Sequence, residues 1–339
     1  MAASAMSRKD FVTDQDVRWC PGCGDYAVLA NVQRVMPELG VARENVVFVS
    51  GIGCSSRFPY YMDTYGFHTI HGRAPAFATG IKASRPELSV WIVTGDGDGL
   101  SIGGNHLLHA IRRNLDVQIL LFNNRVYGLT KGQYSPTSLI GMRTKTSPQG
   151  SIDHPIDPIT FALGCGATFV ARTIDVDANH MQQMLKRAHE HRGTAFVEIL
   201  QNCPVFNDDT WEELQNRKSR IDAALVLEHG KPLVFGDPGN PKGIVVENGV
   251  PSIVELNDND DPVSEGVVVH DEGAAIAYAF ALATLSRPEF PLPVGVLHEV
   301  DKPCYEDMLD QQVQDAIEAR GPGDLEELLY SGDTWTVES

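Results

Sequence analysis

Residues 93–99 have the sequence Val-Thr-Gly-Asp-Gly-Asp-Gly, which closes an apolar, β-branched run. The next such run ends at Asn123-Asn124, with 25 residues between Gly97 and Asn123. Because ligands of parallel sheets bind at the carboxyl ends of strands, Asp96 and Asn124 are expected to face one crevice. Glycines let the backbone approach a diphosphate closely, and carboxylate and amide oxygens suit Mg²⁺. The two turns together therefore predict a site for a diphosphate and Mg²⁺.

The remainder of the first 220 residues alternates between short apolar runs and segments with helical spacing. This alternation predicts β-α-β units and an α/β fold, with a parallel sheet flanked by helices. The predicted strands are 45–50, 88–94, 117–122, 168–172 and 195–200, and the predicted helices between them are 26–36, 74–83, 104–113 and 178–191.

Two segments depart from this alternation. Residues 136–157 are rich in Ser, Thr, Pro and Gly without periodicity, so we expect a long excursion over the surface or into a partner. From about residue 221 the chain has Pro/Gly/Asp-punctuated connections, one apolar helix expected at 273–286, and an acidic tail. We therefore predict a cofactor-binding domain at 1–220 and an acidic C-terminal extension, with an interface role, at 221–339.

The charge is negative and unevenly placed. The chain has 27 Lys+Arg against 45 Asp+Glu, a net charge of −18, and residues 221–339 hold 5 basic and 24 acidic residues. A surface of this sign repels phosphate backbones, which argues against a nucleic-acid-binding protein.

The N-terminal ten residues contain no apolar signal-peptide core, and no run approaches the ~18 apolar residues of a membrane span. We therefore expect a cytoplasmic protein without a membrane partner. In a reducing compartment, cysteines are metal ligands, redox groups or buried small side chains more often than disulfides.

The sequence Trp-Cys-Pro-Gly-Cys-Gly at 19–24 contains a Cys-x-x-Cys pair with three interpretations. The pair could be half of a zinc site, a redox dithiol, or two ligands of an iron–sulfur cluster. A zinc ribbon needs a second such pair, which the chain lacks, and a thioredoxin-like dithiol needs a preceding strand that is not evident. Cys54 and Cys203 each follow a predicted strand end.

The spacing from Gly-Asp-Gly to Asn-Asn resembles the thiamin diphosphate-binding motif. Carried onto this chain, that resemblance implies Mg²⁺ ligands at Asp96, Asn124 and the carbonyl of Val126. Over about residues 18–205 the chain is also similar to the β subunit of 2-oxoacid:ferredoxin oxidoreductases. Five motifs carry this similarity, namely Trp-Cys-Pro-Gly-Cys-Gly (19–24), Gly-Ile-Gly-Cys-Ser-Ser (51–56), His-Gly-Arg-Ala (71–74), Gly-Asp-Gly-Asp (95–98) and Asn-Asn-x-Val-Tyr-Gly-Leu-Thr (123–130).

The resemblance implies a thiamin diphosphate-binding fold with one 4Fe–4S cluster. Cys165 and Cys304 match no ligand position, and the implied cluster ligands are Cys20, Cys23, Cys54 and Cys203. The implied cofactor-binding residues are Ile52, Gly53, Cys54, Ser55, His71, Gly95, Asp96, Gly97, Asp98, Asn124, Val126, Gly128 and Leu129.

Two side chains are predicted to act on the reactants. The resemblance places His71 near thiamin diphosphate as a hydrogen-bond donor to phosphate or substrate. Arg57 stands where relatives often have a basic residue that could contact a distal carboxylate or coenzyme A, and a solvated surface arginine is the alternative. Lys-Gly-Gln-Tyr-Ser-Pro-Thr-Ser at 131–138 is similar to the 2-oxoglutarate branch of the family.

The implied activity is the reversible, coenzyme A-dependent oxidative decarboxylation of a 2-oxoacid, most simply 2-oxoglutarate to succinyl-CoA and CO₂, with electrons passed to ferredoxin. The pyrimidine-binding half, with its activating Glu, would belong to an α subunit in an α2β2 assembly. Pyruvate or another 2-oxoacid as substrate, or a non-oxidative thiamin diphosphate decarboxylase or carboligase, are the alternatives.

Overall fold

The computed structural model describes residues 6–247, 249–257 and 260–338. The first five residues of the N-terminal stretch considered above lie outside this range. Within the range, none of the helices has the length and apolar character that crossing a membrane requires.

The strands and helices predicted for the first 220 residues are all present, with ends within two residues of the predicted ones. In chain order the strands are β1 (Val46–Ser50), β2 (Tyr65–His68), β3 (Ser89–Gly95), β4 (Val117–Asn123), β5 (Phe169–Ile174), β6 (Thr194–Leu200), β7 (Ala224–Val226), β8 (Val234–Phe235), β9 (Lys242–Glu247), β10 (Val250–Glu255) and β11 (Leu292–Glu299). The helices are α1 (Asp25–Val35), α2 (Ala74–Ser84), α3 (Asp96–Leu100), α4 (Gly104–Arg112), α5 (Pro158–Gly164), α6 (Ala178–Glu190), α7 (Glu212–Gln215), α8 (Arg220–Ala223), α9 (Ile276–Ala283), α10 (Tyr305–Arg320) and α11 (Leu325–Leu329).

Eight strands of the described residues form one sheet in the order β2-β1-β3-β4-β6-β5-β11-β7. All neighbours in it are parallel except β11 and β5. The α/β fold with a mostly parallel sheet flanked by helices is therefore confirmed. Strands β1, β3, β4 and β6 lie side by side, which brings the turns after them to one edge of the sheet.

The inner strands of the sheet are covered on both faces, and alternate residues of each strand point to opposite sides. On β3, Val90 and Ile92 belong to the core with α2, α4, α5 and α9, whereas Trp91 and Val93 belong to the core with α1 and α6. The strands are buried along most of their length, which explains their continuous apolar sequence. This double burial fixes the strand ends that carry the polar turns.

The chain after residue 220 is not separate from this sheet. Strand β11 pairs antiparallel with β5, and β7 pairs parallel with β11. Strands β8, β9 and β10 form a small antiparallel sheet of their own. The boundary predicted at residue 220 therefore does not coincide with a break between sheets.

The segment 136–157 lacks helices and strands, as the sequence predicts, but it is internally hydrogen-bonded. Gly141 and Ser151 are joined through backbone atoms, and so are Ile156 and Pro136. Its exposed apolar residues include Leu139 and Ile152. The residues just before and at its start, 135–138, are mostly buried and reach the turn after β3.

Candidate functional site

A cavity of about 500 Å³ lies at the carboxyl ends of β1, β3 and β4. Every cofactor-binding residue implied by the sequence lines it. Residues that were not predicted also line it: Ile102, Phe122, Tyr127, Thr130 and Gln133. Tyr127 and Thr130 lie within the motif at 123–130, and Phe122 directly precedes it. This closeness to the motif could have predicted their position at the cavity.

Asp96 lines this cavity and is buried. Its Oδ2 atom accepts hydrogen bonds from the hydroxyls of Ser135 at 2.5 Å and Thr137 at 2.6 Å. Burial raises the pKa of the Asp96 carboxyl to about 6, although both hydroxyls act in the opposite direction. Oδ1 accepts no side-chain hydrogen bond within the described residues, so this atom remains available to a cation.

Asn124 and Val126 supply further oxygens at the same cavity. The Asn124 amide oxygen accepts the Val126 backbone N–H at 3.2 Å, and its Nδ2 donates to Gln201 Oε1 at 2.8 Å. The Val126 carbonyl accepts no hydrogen bond from any residue that the structure describes. Carboxylate, amide and carbonyl oxygens around one cavity form a donor set that fits Mg²⁺.

Gly97 allows the backbone after β3 to pass directly beneath an aromatic ring. A Cβ at this position would lie 2.3 Å from the Tyr127 ring. The Tyr127 hydroxyl also donates to the Gly97 carbonyl at 3.1 Å. Only glycine permits this approach, which holds the two cofactor-lining turns together.

Asp98 lines the cavity and is also bound to the turns around it. Its Oδ1 accepts the backbone N–H groups of Ile52 at 3.1 Å and Gly72 at 2.8 Å, and its Oδ2 accepts the Thr94 hydroxyl at 2.9 Å. The carboxylate thus ties the turn after β1 and the loop before α2 to β3. Asp98 lines the cavity while holding its walls in place.

The four predicted cluster ligands lie in three loops that are joined by hydrogen bonds. Trp19 Nε1 donates to the Cys54 carbonyl at 2.7 Å, and the Gly24 N–H donates to the Asn202 carbonyl at 3.2 Å. A Cβ at Gly128 would lie 3.5 Å from Cys54 Sγ and 3.7 Å from Cys203 Sγ. The four thiols are free, and Cys20 is the exposed one of them.

Burial raises the thiol pKa of three of these cysteines, Cys23, Cys54 and Cys203. Burial, together with the nearby charges of Asp25, Cys203 and Cys20, raises the pKa of the Cys54 thiol to about 12. Burial likewise raises the pKa of the Cys23 thiol, and the nearby charges of Asp25, Cys54 and Cys203 act in the same direction. Burial also raises the pKa of the Cys203 thiol. A bound metal centre, which takes thiolates as ligands, would offset this cost.

Two observations bear on what the thiols could hold. No three His, Cys, Asp or Glu side chains of the described residues converge tightly enough for a single metal ion. A 4Fe–4S cluster takes one thiolate per iron, so its ligands are spread around it.

Asp25 is a neighbour of the thiols that the sequence did not single out. Its carboxylate is buried and neither oxygen has a hydrogen-bond partner in the described part of the chain. Burial raises its pKa to about 7. In the neutral form this carboxyl can donate a hydrogen bond to a sulfur.

The two side chains predicted to act on the reactants have different positions. His71 is exposed and lines the cavity. Arg57 does not line it, because the 3₁₀ helix Ser55–Tyr61 turns its side chain to the other side, where its Nε donates to the Tyr61 hydroxyl at 2.9 Å. It lies there in a shallow depression with Arg18 and Asp16. The structure therefore does not bring Arg57 to the cavity, and its role stays a prediction.

Comparisons with known proteins agree with this geometry. Residues 51–199 match the family described as thiamine pyrophosphate enzyme, C-terminal TPP binding domain. The fold and the site thus define a thiamin diphosphate-binding enzyme subunit.

Relatives that match most of the chain indicate which thiamin diphosphate enzymes it resembles. The chain is 52% identical over 334 residues to the 2-oxoglutarate oxidoreductase subunit KorB of Mycobacterium tuberculosis, covering 97% of this chain and 88% of that protein. It is 40% identical over 256 residues to the 2-oxoacid:ferredoxin oxidoreductase subunit beta of Saccharolobus solfataricus, covering 70% and 84%. The chain belongs to the family of β subunits of 2-oxoacid:ferredoxin oxidoreductases, and this membership implies an α-subunit partner.

A solved structure supports the same assignment. It is described as 2-oxoglutarate:ferredoxin oxidoreductase from Magnetococcus marinus with 2-oxoglutarate, coenzyme A and succinyl-CoA bound. It superposes with a TM-score of 0.76 at 33% identity and covers 97% of each chain. The similarity therefore includes the residues after 220.

Proposed function

We propose that this chain, together with an α subunit, converts 2-oxoglutarate and coenzyme A to succinyl-CoA and CO₂ and passes two electrons through a 4Fe–4S cluster to ferredoxin. The reaction is proposed to be reversible. One observation carries the proposal: Cys54 lines the cavity of the diphosphate motif and also lies among the four thiols. A decarboxylation centre and an electron acceptor would thus share one wall.

The residues at the cavity fit thiamin diphosphate with Mg²⁺. Asp96, Asn124 and the Val126 carbonyl would hold the metal, and the glycines at 95 and 97 would let the diphosphate approach the backbone. When bound, thiamin diphosphate supplies the electron sink that lets a 2-oxoacid lose CO₂. His71, at the cavity wall, would donate a hydrogen bond to phosphate or substrate.

The thiol-lined region fits a 4Fe–4S cluster held by Cys20, Cys23, Cys54 and Cys203. Cys203 is buried and Cys23 and Cys54 are partly buried, whereas Cys20 is exposed. The exposed side gives an external one-electron acceptor an approach to the cluster. Ferredoxin is the acceptor that the names of the relatives indicate.

The substrate is proposed from the names of relatives and from one sequence segment. Relatives at 52% and 45% identity are named as 2-oxoglutarate enzymes, and the solved relative is described with 2-oxoglutarate and succinyl-CoA bound. The sequence at 131–138 is similar to the 2-oxoglutarate branch, and Gln133 of that segment lines the cavity. Pyruvate is the competing substrate.

The α subunit is proposed to cover the mouth of the cavity. Ile70, Ile102 and Leu129 are apolar residues there that are 66%, 59% and 50% exposed. The adjacent edge strand β2 is exposed along its length, with Tyr65 and Phe67 among its residues. Clustered exposed apolar side chains of this kind are typical of an interface. The expected assembly is α2β2.

A second contact is proposed for the C-terminal arm, defined here as residues 310–338. All its residues are exposed, including Leu325, Leu328 and Trp335. The arm extends from a fixed base, since Glu306 is buried and accepts the Asp116 N–H at 3.0 Å. We assign to this arm the interface role that the sequence predicts for the extension.

The test is ferredoxin reduction by the complex of this chain with its α subunit. The proposal expects reduction that requires coenzyme A and is faster by at least about tenfold in kcat/KM with 2-oxoglutarate than with pyruvate. Equal or faster reduction with pyruvate would overturn the substrate. Release of CO₂ without coenzyme A and without electron transfer would instead indicate a non-oxidative decarboxylase.

A further inference from the structure

We propose that Gln201 is a positioning residue that joins the Mg²⁺ site to the cluster site. Its side chain orients Asn124 toward the metal and donates a hydrogen bond to the sulfur of Cys23. The inference rests on the function proposed above, because it concerns the residues assigned to both centres.

Gln201 is completely buried and directly follows β6. Both the oxygen and the nitrogen of its side-chain amide form hydrogen bonds. Its Oε1 accepts Asn124 Nδ2 at 2.8 Å, while Nε2 donates to the Asn202 carbonyl at 2.6 Å and to Cys23 Sγ at 3.3 Å. A primary amide has two N–H donors, and here each has a different acceptor. The carbonyl of Asn202 fixes the amide plane, which leaves the second N–H directed at the sulfur.

The contact with Asn124 determines which end of that amide faces the cavity. Because Nδ2 is held by Gln201, Oδ1 lies on the opposite side, where it accepts the Val126 N–H at 3.2 Å and can bind a cation. A rotated Asn124 would present an NH₂ group to Mg²⁺, which is repulsive. Gln201 therefore removes the unproductive orientation before the metal binds.

The contact with Cys23 affects the other centre. An N–H group directed at a ligand sulfur places the positive end of a dipole beside the cluster, which stabilises the reduced and more negative state. Hydrogen bonds to sulfur are among the factors that set cluster potentials. Loss of this bond is expected to make the midpoint potential more negative.

The test compares Gln201→Met with Gln33→Met in the intact complex with its α subunit. Gln33 is also a buried amide, and its Nε2 donates to the Tyr61 carbonyl at 3.0 Å, but it touches neither centre. Two quantities are measured: the cluster midpoint potential by EPR-monitored titration, and the Mg²⁺-dependent affinity for thiamin diphosphate by equilibrium dialysis. We expect Gln201→Met to lower the potential and to weaken the affinity by about tenfold or more, with Gln33→Met close to wild type.

If Gln201→Met does not fold, the contact between Gln201 and the cluster is measured in the wild-type complex. With glutamine labelled with ¹⁵N at the side-chain amide, pulsed EPR of the reduced cluster is expected to show a coupled side-chain nitrogen. Absence of that coupling, or an unchanged potential and affinity in Gln201→Met, overturns the role of Gln201. A wild-type complex without a cluster, or without Mg²⁺-dependent thiamin diphosphate binding, would instead refute the proposed function.

Discussion

The hydroxyl of Ser135 lies 2.5 Å from Oδ2 of Asp96, although the two residues are 39 positions apart in the sequence. Thr137 donates to the same oxygen at 2.6 Å. Two donors on one carboxylate oxygen fix the orientation of the group and leave Oδ1 for the cation. The segment after β4 is thus part of the proposed metal site.

Removal of the Thr137 hydroxyl is expected to weaken Mg²⁺-dependent thiamin diphosphate binding. Thr137→Val keeps the shape but loses the bond to Asp96, and outer-shell bonds of this type typically contribute about 10- to 100-fold in metal affinity. Equilibrium dialysis at several Mg²⁺ concentrations measures the effect. Thr137→Ser should retain near-wild-type affinity, as should Ser151→Ala, which removes a buried hydroxyl of the same segment that bonds the Leu139 carbonyl. Equal losses in all three variants would contradict the assigned role.

Mg²⁺ affinity is expected to depend on pH through Asp96. Burial raises the pKa of this carboxyl from 3.8 to about 6, so a proton competes with the cation below about pH 6. The apparent affinity should fall about tenfold per pH unit below that value and be constant above it. Without metal, the folded state binds this proton more tightly than the unfolded chain, so the Asp96 contribution to the free energy of unfolding decreases as the pH rises from 3.8 to about 6. Isothermal titration with Mg²⁺ tests the predicted fall in affinity below about pH 6. An affinity independent of pH would refute it.

Gly97→Ala is expected to abolish cofactor binding. The added Cβ would lie 2.3 Å from the Tyr127 ring, so the ring or the backbone after β3 must move. The matched control is Gly104→Ala, because a Cβ at position 104 meets no atom within 4 Å. Thiamin diphosphate titration followed by tryptophan fluorescence distinguishes them. Cofactor affinity in Gly97→Ala within about twofold of wild type would show that the close approach is unnecessary.

Cys203→Ser is expected to yield a complex without an intact cluster, because a serine oxygen is a poor substitute for a thiolate on iron. Cys165→Ser is the control, since Cys165 lies in the turn after α5 and packs against a different core from Cys23 and Cys54. Iron and acid-labile sulfide are measured after anaerobic purification. Full iron content in Cys203→Ser would remove Cys203 from the ligand set.

Deletion of residues 321–339 is expected to weaken association with the α subunit without unfolding the chain. Residues 321–338 are all exposed, so no core contact of the described residues is lost. Mass photometry on dilution should show dissociation at about tenfold or more higher concentration. Deletion of 337–339 alone is the control. Unchanged dissociation in the longer deletion would show that the arm is not part of the interface. A deletion from residue 221 would not serve this purpose, because it also removes β7 and β11 from the sheet and so tests stability.

The elements that the sequence predicted share a simple physical feature. Strands β1, β3, β4, β5 and β6 are covered on both faces, so their apolar runs are continuous and easily recognised. Strand β2 is an exposed edge strand, and β11 contains Pro293 and Gly295, which interrupt its apolar run. These strands could be found only through their pairing with distant partners.

The site shows a similar division. Residues within the turns after β1, β3 and β4 were predicted, since local motifs carry them. Ser135 and Thr137 belong to the segment 131–138 that the sequence relates to the 2-oxoglutarate branch, but their contact with Asp96 was missed, because no local pattern indicates it and only the fold brings them to that carboxylate. Arg57 was predicted near the substrate from its place after Cys54, but the helix after Cys54 directs its side chain elsewhere.

In the proposed arrangement, a thiamin diphosphate site and a 4Fe–4S cluster share the wall formed by Cys54. Its most direct test is the anaerobic visible spectrum, with iron and sulfide analysis, of the chain co-expressed with its α subunit. We predict about four irons and four sulfides per chain and a broad visible absorbance that is bleached by 2-oxoglutarate plus coenzyme A. A colourless, iron-free protein that still binds thiamin diphosphate, with oxidative loss excluded, would contradict this arrangement.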